Sequence, residues 1–160
     1  MPNETMARPI THRIWALLAP NTQTRMSHAG AAVIRVVAGC FLAGFHGWHK
    51  LLEGLAHTQT GAAWPLLFDV HVLGFPYPVA SAFAATFTQL LGGLAIAFGF
   101  LTRFAALAVA VSLAVAAYSN LQMGKDNQLA LLYALLFLGI ALYGGGWYSA
   151  DAWLFGRRSA

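Results

Sequence analysis

The stretch VASAFAATFTQLLGGLAIAFGFLT, residues 79–102, carries no Asp, Glu, Lys or Arg anywhere along its length. About 20 apolar residues in a helix cross the ~30 Å hydrocarbon core of a bilayer, so this stretch predicts a membrane span. Its interior is not featureless. Thr86, Thr88 and Gln89 precede Gly92, Gly93 and Gly99. A buried amide links helices by hydrogen bonding without carrying charge, and small residues let backbones approach. Gln89, Gly92 and Gly93 are therefore expected to be structural.

The same pattern repeats outward from this span. Arg103 marks its exit, and 104–123 predicts a further span after a very short turn. Gly124-Lys125-Asp126-Asn127 is the next turn, and 128–148 predicts another span. Gly144-Gly145-Gly146 loosens its end, with Trp147, Tyr148 and Trp153 as an aromatic belt. Upstream, Pro76 and Pro78 fix a turn. Residues 53–77 form a long connection in which the stretch from Trp64 to Phe68 predicts a short interfacial helix. A first span is expected at 29–52, with Ser27 as its cap. The prediction is an all-α integral membrane protein, a four-transmembrane-helix bundle at 29–155. An N-terminal segment at 1–28 and a basic tail at 156–160 flank it.

Composition agrees. Of 160 residues, 59% are hydrophobic and 9% charged, against roughly a quarter charged in soluble domains. The net charge of +4 is scattered and forms no basic face, so nucleic acid is not an expected partner. Cys40 is the only cysteine, which excludes an internal disulfide, a CxxC redox pair and an all-cysteine zinc site. In the N-terminal segment, Arg8, Arg13 and Trp15 beside Leu17 and Leu18 fit either a short interfacial helix or a disordered tail, and match no ordinary signal peptide. Arg8, Arg13, Arg25, Arg103, Arg157 and Arg158 fall on the side of the termini, against Lys50 and Lys125 on the other. The positive-inside rule then makes both termini cytoplasmic.

Chemistry concentrates at Gly44-Phe45-His46-Gly47-Trp48-His49-Lys50, followed by Glu53. Ionisable groups at membrane depth are expensive and usually face protein or a wet cavity. On the outer side His46, His49, Lys50 and Glu53 are expected to meet Tyr118, Asn120, Gln122 and Gln128. Such a pocket would bind the head of a quinone, with imidazole and ammonium donating to its carbonyls and Trp48 or Tyr118 stacking on the ring. The alternative is an interfacial cluster wetted by water and lipid headgroups. Metal binding is the weaker reading: His46 and His49 are three apart, but no strong ligand spacing is present. If one helix ran far enough, Arg35, His46, Lys50 and His57 would share a face, because eleven residues are close to three turns. Arg35 is expected to form a structural ion pair with Asp151. Gly39, Ala43 and Gly47, with Cys40 and Gly44 beside them, form a small-residue stripe for close helix approach. No Ser-His-Asp order, phosphate loop or close carboxylate pair marks a self-contained enzyme.

These residues resemble the DoxX family of small bacterial membrane proteins. The resemblance runs through Arg35, Gly39, Phe45-His46-Gly47 to Lys50, Leu73-Gly74-Phe75-Pro76-Tyr77-Pro78 and Leu91-Gly92-Gly93-Leu94. It continues through Gly99-Phe100-Leu101-Thr102-Arg103, Leu129-Ala130-Leu131-Leu132-Tyr133 and Gly146-Trp147-Tyr148-Ser149-Ala150-Asp151. It implies a four-helix bundle in the bacterial cytoplasmic membrane. It also implies an accessory subunit of quinone-linked electron transfer or of a redox or oxidative-stress complex, with a redox protein as partner; the cofactor is left open, with quinone as the candidate. A non-catalytic scaffold or anchor, or a homo-oligomer, is the alternative. The family often has Glu where this chain has Gln89 and Gln128, and neutral amides do not relay protons.

Overall fold

The computed structural model describes residues 25–154. The expected interfacial helix around Trp15 and the basic tail lie outside these residues. Every described regular element is helical: α1 (Arg25–Phe41), a π segment (Leu42–Trp48), α2 (His49–Thr60), α3 (Pro65–Val72), α4 (Pro78–Phe98), α5 (Thr102–Gln122), α6 (Gln128–Tyr143) and α7 (Ala150–Leu154). Three helices are long and apolar enough to cross a membrane: the continuous Ser27–Thr60, then α4 and α5; α6 is a shorter apolar helix.

The first helix runs past the expected end at residue 52. At 1.5 Å per residue its 34 residues reach ~51 Å, well beyond a hydrocarbon core of ~30 Å. No proline lies between Leu52 and Thr60, and Gly54 stays helical where it packs under Trp64, so the helix continues until Gly61, whose φ of 72° provides the left-handed C-cap. The fourth apolar segment departs in the other direction. It stops at Tyr143 because Gly144 takes φ 88°, a conformation open mainly to glycine.

α4 packs on α1 and the π segment, while α5 packs between α4 and α6. The stripe Gly39, Ala43, Gly47 makes the first contact possible. A Cβ on Gly39 would lie 2.5 Å from the Gly93 carbonyl oxygen, and one on Gly47 would lie 2.6 Å from Leu90 Cα. In an α-helix a four-residue spacing drifts by ~40° per step. The wider π turn reverses that drift, keeping all three residues against α4. Gly44 and Cys40 face outward.

The main core joins Leu42, Ile96, Val109, Leu113 and Phe137. A smaller one lies under α3, where Trp64 is 4% exposed and packs with Val70 and Ala82. Trp64 is thus a buried wedge against Gly54 and Phe83, whereas the sequence reading set it on an interfacial helix. Large apolar side chains such as Val33, Leu91, Phe104, Leu132 and Leu142 are exposed, as expected of surfaces solvated by lipid.

Candidate functional site

The two ends of the bundle hold different polar arrangements. At the α1 N-terminal end Arg35 is 3% exposed and donates from Nη1 to the Gly145 carbonyl and from Nη2 to the Tyr148 carbonyl, both at 2.8 Å. Asp151 accepts from Leu101 N at 2.6 Å, Thr102 N at 2.9 Å and Thr102 Oγ1 at 2.8 Å. Its own N–H donates to the Gly99 carbonyl. The expected Arg35–Asp151 ion pair is therefore corrected: the two groups act on each other only through space. Their direct bonds are to backbone. The reason is local. Thr102 begins α5 with unsatisfied N–H groups, and Leu101 before it holds φ 46°, so Asp151 serves as an N-cap supplied from another segment. The glycine-rich turn after α6 exposes carbonyls that Arg35 collects.

At the opposite end a cavity of about 830 Å³ opens among the helices. The π segment and α2 contribute His46, Lys50 and Glu53, and α3 contributes Asp69. α4 adds Thr88 and Gln89, α5 adds Ser119 and Asn120, and Asp126 and Tyr133 complete the polar end. From there an apolar lane, open on its outer side, follows α5 past the exposed Val111, Ala108 and Leu107 to Phe104. A mostly apolar cavity of this size with a few convergent polar groups is the usual form of a small-molecule site.

Lys50 anchors the polar end. Its Nζ donates to Gln89 Oε1 at 2.9 Å, and Gln89 is 1% exposed. Glu53 and Asp69 attract the same ammonium from further away, and Asp69 is itself bound by Lys125 at 3.2 Å. An ammonium has three donors, of which Gln89 takes one. His46 is half-buried and stands edge-on to Tyr133 at 5.8 Å, with no hydrogen bond to any described residue.

The helix that carries Arg35, His46, Lys50 and His57 is not one regular α-helix, because the π segment Leu42–Trp48 interrupts it. His46 and Lys50 line the same cavity, whereas Arg35 meets the Gly145 and Tyr148 carbonyls and His57 the Ala62 carbonyl. Among the residues expected in a quinone-head pocket, His46 and Lys50 line the cavity, together with Glu53 and Asn120. His49 stands outside that lining, 3.7 Å from Glu53 with its side chain 70% exposed. Tyr118, Trp48, Gln122 and Gln128 are exposed and do not line it; Gln128 is used through its N–H, capped by Asp126. Gln89, expected as a structural cross-link, bonds Lys50 and faces the cavity as well.

Ser119 was missed by the sequence reading. It is 2% exposed, lines the cavity, and its Oγ has no hydrogen-bond partner among the described residues. A buried hydroxyl left unpaired costs about 1–3 kcal/mol. The available signal was spacing: Ala108, Ser112 and Ser119 share one helical face, and all three line the cavity. Among the described residues no group of three His, Cys, Asp or Glu side chains is arranged to hold a metal.

Comparison with known proteins gives one result. No curated protein and no solved structure matches the chain. The DoxX family model matches residues 30–121, which takes in the first long helix, α3, α4 and nearly all of α5. With more than half its length matched and three helices apolar and long enough to cross a membrane, the chain belongs to the DoxX family of membrane proteins.

Proposed function

We propose that this protein is a subunit of a quinone-linked redox system in the bacterial cytoplasmic membrane, and that its cavity holds the quinone. The observation that carries this reading is the Lys50–Gln89 pair, set in the wall of an 830 Å³ cavity that is polar at one end and apolar along the other. The residues fit the group. Lys50 has donors left for a carbonyl oxygen, His46 supplies an imidazole without a hydrogen-bond partner among the described residues, and the α5 lane accepts an apolar tail. A quinone, when bound, supplies two-electron, two-proton redox chemistry. The chain's own part is to seat the head and exclude water. Gln89 holds the Lys50 ammonium and, as an amide, relays no proton, so a partner protein supplies the electrons and the proton path.

The accompanying topology is four membrane passes within 29–155, α6 being the fourth, with both termini in the cytoplasm. Two features support it. α1, the Gly99–Arg103 turn and α7 converge at one end, with Arg103 there, and Lys50 and Lys125 lie toward the other. A scaffold role has less support, because the small-residue stripe that motivates it is filled by α4 of the same chain.

Binding of a benzoquinone with a ten-carbon chain to the protein in nanodiscs tests the reading. Lys50→Ala should weaken it about tenfold or more, the loss of a charged hydrogen bond of roughly 1.5–3 kcal/mol, and His46→Ala should weaken it less. Binding unchanged in both variants would rule the pocket out.

A further inference from the structure

We infer that the ligand of this cavity is an amphiphile with an uncharged head, that Ser119 Oγ hydrogen-bonds an oxygen of that head, and that its tail lies along α5 toward Phe104. The inference rests on the proposed quinone pocket and adds to it the class of head, the residue that recognises it and the direction of binding.

Three observations carry it. Ser119 is buried, lines the cavity and leaves its hydroxyl without a partner among the described residues. Serines in helices commonly satisfy themselves on the carbonyl four residues back. Thr86 and Thr88 do so on α4, whereas Ser119 does not. A hydroxyl is both donor and acceptor, so it serves a carbonyl as well as the corresponding hydroxyl of a reduced head.

The charge around the polar end selects against an anionic head. Glu53, Asp69 and Asp126 line it; with Asp69 paired to Lys125, Glu53 and Asp126 remain against Lys50. A phosphate or carboxylate entering there would meet more carboxylates than free ammonium groups. A neutral head with oxygen atoms meets Lys50 and Ser119 as donors without that repulsion.

The direction follows from the lining. Ser119 and Asn120 stand near the C-terminal end of α5, and Val111, Ala108, Leu107 and Phe104 follow toward its N-terminal end. From Ser119 to Phe104 the helix rises ~22 Å, enough for a long chain lying alongside it.

The test uses the full chain in phosphatidylcholine nanodiscs and three probes: decyl-benzoquinone, decylbenzene, which has the chain without oxygens, and phosphatidylglycerol. Ser119→Ala should weaken decyl-benzoquinone binding about tenfold while leaving decylbenzene binding unchanged and the melting temperature of the ligand-free protein the same or higher. Ser119→Thr, which keeps the hydroxyl, should restore most of the affinity. Leu107→Trp should weaken both decyl probes by obstructing the lane. Decyl-benzoquinone binding that responds to Lys50→Ala but not to Ser119→Ala would overturn this inference and leave the pocket reading standing. Phosphatidylglycerol displacing the quinone at equal concentration would overturn the uncharged head. A wild-type protein that binds no decyl-benzoquinone would overturn both.

Discussion

Asp151 shows how a single side chain organises one end of the molecule. Its carboxylate accepts two backbone N–H groups and a hydroxyl, so both oxygens face donors. Asp151→Asn would turn an NH2 group toward at least one N–H. A melting temperature lower by several degrees is expected, for a loss of about 1–2 kcal/mol, with faster proteolysis after Tyr143. An unchanged melt would show that α5 caps itself. That Arg35 and Asp151 need partners was legible in the sequence, because charges near a span end are costly to leave alone. Their partners were not. A sequence displays side chains, and the groups that satisfy these two are main-chain carbonyls and N–H groups freed by the Gly144–Gly146 turn and the start of α5. Ser119 was hidden for a related reason: its importance lies in what it fails to bond.

Among the elements, the first long helix was legible as a span, and its small-residue stripe as a close-packing face. The π segment was not, since it is set by packing on α4 and has no composition of its own beyond Gly44 and Gly47. That segment decides which side chains reach the cavity. It also yields a sharp contrast between two glycines five residues apart in one helix. A Cβ at Gly39 meets backbone of Gly93 and Ala97, whereas one at Gly44 meets nothing within 4 Å. Gly39→Ala should destabilise the protein by about 1–3 kcal/mol, and Gly44→Ala, with open space for its Cβ, should leave stability unchanged or raise it by up to about 1 kcal/mol. Equal melting temperatures for the two variants would mean that α1 and α4 do not hold this approach.

For the whole molecule, helicity and repeated apolar stretches made the membrane class readable, and the distribution of Arg and Lys set an orientation to test. A single cysteine at position 125, in a Cys40→Ala background, should react with a membrane-impermeant maleimide added to spheroplasts. One at position 103 should react only after lysis; the reverse pattern would invert the orientation. The cavity itself was not readable, because its lining comes from five separate stretches of chain, with His46 of the first helix meeting Tyr133 of α6 edge-on beside residues of α3, α4 and α5. Part of the expected pocket therefore fell on the wrong helical faces: Tyr118 sits one residue from Ser119 and points outward.

The most direct measurement is native mass spectrometry of the protein extracted in mild detergent, with organic extraction of whatever it carries. The wild type is expected to hold one quinone per chain, and Lys50→Ala and Leu107→Trp are expected to lose it. A wild-type chain that carries only phospholipid, or nothing while a control quinone protein extracted alongside keeps its ligand, would contradict the account.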